Sequence, residues 1–469
     1  MRKRADFFFT YDFFPKVGGA HLWLYKVACY WPRPAVIVTS GVSSGRLLRG
    51  FAPRNDKIKS APRNDNDGEQ PRNETSHPVT ASEAKPSLGL LRPLTQPRND
   101  KNGGEPRNDN EVDGDRNNSS ICHYEEAQSA DEVIFPKEHP LEIIRFPFCV
   151  SSWGIDRNFF KNTYLLWQFF KKIEKPITIH VVKAIPEAAN LLWLKFLWKD
   201  KLKIVTYAHG EEFLVAKTSK ELGWLTRQAL RISDLVIANS FSTKRLASEF
   251  CDENKIHVVH LGVDFEQYQI PEEECQKYRQ KWGFPENTVI LLTVARMEPR
   301  KNQAAVIKTV AELRKEGLPL AYVIAGSGEE ERKLKNMVQE YNLEPWVKFL
   351  GKISEEEKIK SFCAADIYVM PSIQVGPMIE GFGIVFMEAA AAGLPSIAGN
   401  IGGQPEAVRH EETGFVIDGN NLNELKEAIR RLAQDKNLRQ KMGEAARLWA
   451  RKHDWSLVSR RVYEVVSHV

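Results

Sequence analysis

The stretch VILLTVARMEPRKNQAAVIKTVAEL, residues 289–313, decides the fold. Val289–Ala295 is a short, unbroken apolar run of the kind that forms a parallel strand buried on both faces. A polar loop containing Pro299 follows, and then Gln303–Leu313 reads as an amphipathic helix. A strand feeding a helix is the repeating unit of a parallel α/β sheet. The unit recurs toward the C-terminus, with strand-like runs at Ala321–Gly326, Val347–Leu350, Ile367–Met370 and Pro395–Ala398. Helix-like segments at Glu330–Glu340 and Asn423–Ala433 alternate with them. Toward the N-terminus the runs are Ala35–Thr39, Ile177–Val182, Lys203–Ala208, Leu235–Asn239 and Ile256–His260. A Pro/Glu-rich break at Pro271–Gln276 divides the two groups. The expected class is α/β, with two Rossmann-like doubly wound domains facing a central cleft. Residues 1–40 and 131–270 would form the first domain and 271–453 the second, with a C-terminal helix at 454–469 packing back on the first.

The composition fits that reading. The chain has 469 residues, 42% hydrophobic and 27% charged, which is enough for two or three cores. Eleven Trp and twenty-four Phe exclude a wholly disordered chain. A net charge of +5 is too small to imply nucleic-acid binding. The six cysteines show neither a CxxC nor a metal-ligand spacing, so they are expected as reduced thiols of a cytoplasmic protein. The basic-then-apolar start, Met1–Thr10, is interrupted at Asp6 and reads as a first strand, not a leader. No apolar run reaches about 18 residues, so no spanning helix is expected.

Residues 41–130 differ from the rest. Pro-Arg-Asn recurs at Pro53, Pro62, Pro71, Pro97 and Pro106 in a polar background with almost no apolar periodicity. Such sequence buries too little surface to offset its ordering entropy. Short polar units also cannot stack into a solenoid. A disordered surface insert is expected, and its interleaved acids argue against an Arg-rich nucleic-acid arm.

The chemistry-bearing residues sit where strands end. Glu380-Gly-Phe-Gly-Ile-Val-Phe-Met-Glu388 places two carboxylates around a glycine turn and a helix start. Gly381 and Gly383 permit close backbone approach, and the N–H groups at Gly383, Ile384 and Val385 can face a phosphate. Taken alone, the spacing also suits a buried element with surface glutamates. Arg296 follows the strand Val289–Ala295 and Lys301 lies about a turn later, a fork and a point charge suited to a diphosphate. The plainer reading is a solvated basic helix start, Arg300 included. Gly18 and Gly19 form a loop after the first strand whose N–H groups can approach an anion. His209 follows the strand Lys203–Ala208, and His180 lies within a strand, where a core position is preferred over the cleft edge. Asp264 is expected to cap the linker between the domains.

These segments resemble the E-x7-E and R-x4-K motifs of the retaining GT-B glycosyltransferases of the GT4 family, the glycosyl transferases group 1. Further matching elements occur in that family's order: Pro15–Ala20, Tyr207–Gly210, Ala238–Ser240, His260–Asp264, Ala325–Gly328 and Gly393–Pro395. The resemblance implies that Arg296 and Lys301 neutralise the diphosphate of a nucleotide-sugar donor. It implies that Glu388 binds the ribose hydroxyls, that Glu380 holds hydroxyls of the transferred sugar, and that Gly18 and Gly19 face the diphosphate from across the cleft. His209 is then expected as a sugar contact or polariser, not a general base. No Asp-x-Asp stands at a strand end, so metal-independent transfer with no cofactor is expected. The resemblance implies retention of configuration, with the departing phosphate taking the acceptor's proton.

Residues 141–206 carry eleven Lys/Arg against five Asp/Glu, among Trp and Phe. Such helices can lie on anionic lipid, although core-facing helices with solvated lysines fit the same spacing. The expected partners are a nucleotide sugar, a glycan or lipid-linked acceptor of envelope or exopolysaccharide synthesis, and peripherally the inner membrane face. A catalytically silent GT-B scaffold and a sugar-nucleotide-processing GT-B relative are the competing readings.

Overall fold

The computed structural model describes residues 6–10, 19–33, 35–40, 121–122, 142–146 and 157–468. Two mainly parallel sheets, one per lobe, are present. The first contains β1 (Asp6–Phe9), β2 (Ala35–Ser40), β3 (Ile121–Cys122), β4 (Glu142–Phe146), β5 (Ile177–Val181), β6 (Leu202–Ala208), β7 (Leu235–Ala238) and β8 (Ile256–Val258). The second contains β9 (Val289–Val294), β10 (Leu320–Ala325), β11 (Val347–Gly351), β12 (Ile367–Met370), β13 (Ser396–Gly399) and β14 (Gly414–Ile417). Their orders are β3-β4-β2-β1-β5-β6-β7-β8 and β11-β10-β9-β12-β13-β14. All pairings are parallel except β3 with β4.

The topology follows from the strand sequences. All six residues of β10 are buried, as a strand covered on both faces requires. Helices Gln303–Lys315, Glu331–Glu340 and Leu422–Gln434 pack their apolar stripes over the second sheet, around a core that includes Val306, Val310, Leu334 and Ile429. The strand order reverses between β1 and β5 in one sheet and between β9 and β12 in the other. Those switch points leave crevices at the carboxyl ends of the strands, where ligands of open α/β sheets bind. The two sheets belong to one compact unit, residues 1–43 with 119–469.

The C-terminal helix Trp455–Ser467 lies on the helix Gly19–Cys29 of the first lobe. Ser459 Oγ donates to Val27 O at 2.9 Å, and Tyr463 meets Trp31 edge-to-face. His180 is fully buried, stacked on Phe8, and burial pushes its pKa down to about 3. This is a core histidine.

Two expectations change. Cys275 and Cys363 are bonded to each other and join the helices Glu272–Gln280 and Glu355–Ala364, so these two are not reduced thiols. Their spacing of 88 residues hides the pairing from a local motif search. Asp264 makes no side-chain cap; its carboxylate instead pairs with Lys26 at 2.7 Å, reaching across to the helix Gly19–Cys29. Most of the expected insert, 41–130, lies outside the described residues, but Ile121–Cys122 within it pairs antiparallel with β4.

Candidate active site

The second lobe supplies the charged part of the cleft. After β9 the chain makes a single turn, Pro299–Lys301, and reaches the helix Gln303–Lys315 through Asn302, held at φ +60°. Asn302 Nδ2 donates to Pro371 O and Gly419 O, and Ile373 N donates to Arg300 O. These bonds tie the loop after β9 to the loop after β12, directly at the switch point. Arg300 and Lys301 are only 7% and 8% exposed. Both converge on one oxygen of Glu380: Arg300 Nη1 lies 3.2 Å from Oε2, and Lys301 Nζ contacts the same atom. Arg300 Nε also donates to Glu298 at 3.0 Å.

One buried carboxylate thus serves two buried cations. Burial alone would push the Glu380 pKa up, but the charges of Lys301 and Arg300 outweigh it and hold the carboxyl below its ordinary value. Lys301 shares its counter-ion with a second cation, so burial lowers its pKa despite Glu380.

The Arg296 side chain is 71% exposed and pairs with Glu298 at 2.6 Å. Arg300 is the guanidinium that joins Lys301 on Glu380.

The turn Glu380–Gly383 is pressed between the lobes. A Cβ on Gly381 would lie 2.0 Å from His209 O, and Gly383 caps the next helix at φ +85°. Neither position tolerates a side chain without moving the loop. The helix Ile384–Ala391 then starts with the N–H groups of Ile384 and Val385 near its positive end. Glu388 lies in this helix, 6% exposed. Its Oε1 accepts from Lys358 Nζ at 2.8 Å, and its Oε2 is buried with no hydrogen-bond partner among the described residues.

The first lobe contributes His209, Asn239 and Ser240. His209 Nε2 lies 2.8 Å from Val182 O, so the tautomer that satisfies the bond carries the proton on Nε2. Its backbone N donates to Glu212 Oε1 at 2.7 Å. Asn239 Nδ2 donates to His209 O at 3.4 Å. Gly19 opens the helix Gly19–Cys29, whereas Gly18 lies outside the described residues.

Direct contacts join the lobes here. Ser240 Oγ donates to Gly381 O at 2.8 Å. Glu406, from the second lobe, accepts from Phe241 N at 2.7 Å and Ser242 N at 3.0 Å, the first N–H groups of the helix Phe241–Ser248. His260 Nε2 lies 2.9 Å from the same carboxylate, and its ring stacks on Phe382 at 5.3 Å. Burial raises the Glu406 pKa, but these three donors outweigh it and hold the carboxyl below its usual value.

Arg300, Lys358 and Glu406 were not singled out by sequence. Arg300 adjoins Lys301, which was a usable signal. Lys358 lies in Glu-Glu-Glu-Lys-Ile-Lys, which reads as a solvated helix and gives none. No cluster of three or more metal-ligating side chains occurs among the described residues.

Two Rossmann-like lobes meeting over such a site define the GT-B class. The family described as Glycosyl transferases group 1 matches residues 275–449, and Glycosyltransferase Family 4 matches residues 121–267. A GDP-mannose-dependent monoacylated α-(1-6)-phosphatidylinositol monomannoside mannosyltransferase of Corynebacterium glutamicum is 30% identical over 278 residues, covering 56% of this chain and 70% of the relative. The GDP-mannose-dependent α-(1-6)-phosphatidylinositol monomannoside mannosyltransferase of Mycobacterium tuberculosis is 30% identical over 253 residues, covering 52% of this chain and 66% of the relative. Among solved structures, Anabaena HepE in complex with UDP and glucose superposes with a TM-score of 0.65 at 18% identity, covering 100% of both chains. The chain belongs to the glycosyl transferases group 1 and is a GT-B glycosyltransferase.

Proposed function

We propose that the protein transfers a sugar from a nucleotide-diphosphate sugar to an acceptor hydroxyl, with retention and without a metal ion. The observation that carries this reading is the buried Arg300–Lys301–Glu380 cluster at the β9/β12 switch point, facing His209 across the Gly381 contact. A leaving diphosphate needs preorganised positive charge more than it needs a nucleophile. Lys301 meets the diphosphate from the floor of the cleft and Arg296 from the rim. The N–H groups at Gly383, Ile384 and Val385 add the helix end, and Gly19, at the start of the helix Gly19–Cys29, adds to them from the opposite lobe. As the diphosphate takes up part of the Lys301 charge, Glu380 becomes available to hydroxyls of the transferred sugar. Glu388 takes the ribose hydroxyls with its unpartnered oxygen. His209, with its Nε2 proton committed to Val182 O, serves as a sugar contact and not as a base.

The acceptor is proposed to be a glycan or lipid-linked molecule of envelope synthesis. The two mannosyltransferase relatives carry phosphatidylinositol mannosides in their names. The first lobe also exposes Phe160 and Tyr164 on one helix, and Trp193 and Phe196 on another, with exposed Lys171, Lys172 and Lys199 nearby in sequence. That surface suits peripheral contact with anionic lipid. No helix among the described residues is long and apolar enough to cross a membrane.

A panel of UDP-, GDP- and ADP-sugars tests the reading, first by thermal shift and then by hydrolysis or transfer. Stabilisation by one nucleoside diphosphate and turnover of its sugar conjugate supports it. Binding without turnover of any conjugate favours the silent scaffold, and absence of both overturns the donor site.

A further inference from the structure

We propose that Lys358 is a positioning residue for donor binding, holding the Glu388 carboxylate aimed at the ribose; this rests on the reading of Glu388 as the ribose ligand. The two groups come from different elements. Glu388 is on the helix Ile384–Ala391, and Lys358 is on the helix Glu355–Ala364. Their side chains are 7% and 17% exposed at a separation of 2.8 Å. Lys360, two residues on, shows the contrast. It pairs with Glu356, which is 77% exposed, on its own helix surface, where an ion pair contributes little.

The pairing at Glu388 is lopsided. Oε1 receives Lys358, while Oε2 is buried and unpartnered among the described residues. With Lys358 fixed on one oxygen, the carboxylate plane is held and the other oxygen is an acceptor of fixed direction, suited to a hydroxyl. The lysine is itself well anchored. Its helix carries a Ser354–Glu357 capping box at one end and Cys363, bonded to Cys275, at the other. The remaining groups that face the carboxylate are Glu355, which also pairs with Lys358, and the phenols of Tyr268 and Tyr368. None of these offers a second positive charge.

The test uses the full chain with Lys358→Met, Lys358→Arg and Glu388→Gln. UDP, GDP and ADP are screened by thermal shift, and the one that binds is titrated calorimetrically beside its 2′-deoxy counterpart. Lys358→Met is expected to weaken the ribonucleotide about tenfold while leaving the deoxynucleotide within about twofold, so that ribose discrimination collapses. Lys358→Arg should restore most of it.

Unchanged discrimination in Lys358→Met overturns the proposal. Equal loss of both nucleotides also overturns it, because that marks a merely structural lysine. If Glu388→Gln keeps full discrimination, the ribose reading itself fails. If none of the three diphosphates binds the wild type, the donor site fails and this proposal with it.

Discussion

The two lobes bring opposite chemistry to the same cleft. The second lobe presents Arg300, Lys301 and Glu388, which are buried, with Glu380 and Lys358, which are half-buried. The first presents His209, Asn239 and Ser240, which engage through hydrogen bonds. The difference shows how a site for a dianionic leaving group can be kept in a stable protein. The cations sit on one rigid lobe, each balanced internally, so that no buried charge stands alone. The other lobe needs only shape and a few donors to close over them. Within the charged lobe the two carboxylates also differ. Glu380 is shared by two cations, whereas Glu388 has one cation and one open oxygen.

Four experiments probe that contrast. Glu380→Gln should have the largest effect, because it leaves Lys301 and part of Arg300 uncompensated. It is expected to cost about 3 kcal/mol in urea unfolding and roughly a hundredfold in transfer rate. Next, Arg300→Ala should lose about 2 kcal/mol through the orphaned Glu380, whereas Arg296→Ala should stay within about 0.5 kcal/mol. Arg296→Ala should nevertheless lower turnover if the rim guanidinium meets the diphosphate, so the two arginines separate by readout. Glu406→Gln weakens the seam between the lobes without touching either charged cluster. It should cost about 1 kcal/mol and lower kcat more than it raises donor KM. The smallest effect is acid sensitivity. The folded-state pKa of Glu380 lies below its ordinary 4.5, so its contribution is present above that value. It is lost as pH falls through the depressed folded value, and the acid limb of a stability–pH curve should be shallower in Glu380→Gln than in wild type.

Much of the architecture was legible because parallel strands announce themselves as short apolar runs. Two strands carry no such signal: Gly414–Ile417, which opens on a glycine and spans four residues, and Glu142–Phe146, in which Glu142 and Arg145 interrupt the apolar residues. At the site, the sequence order of strand ends brought out Lys301, Glu380 and Glu388. Their partners stayed hidden for a physical reason. Lys358 reaches Glu388 from thirty residues away, and Glu406 reaches Phe241 across 165. Such pairings are set by how helices and lobes pack, which local periodicity does not encode. Arg300 was not singled out because neighbouring basic residues look alike in sequence, and only folding decides which side chain turns inward.

The central claim is that one lobe grips the donor diphosphate through Lys301 while Glu388 holds the ribose. A crystal structure with a bound nucleoside diphosphate tests it most directly. Phosphate oxygens are expected within hydrogen-bond reach of Lys301 Nζ, with a ribose hydroxyl on Glu388 Oε2. A diphosphate bound away from the β9/β12 switch point, with the Lys301–Glu380 and Lys358–Glu388 pairs undisturbed and unvisited, would contradict it.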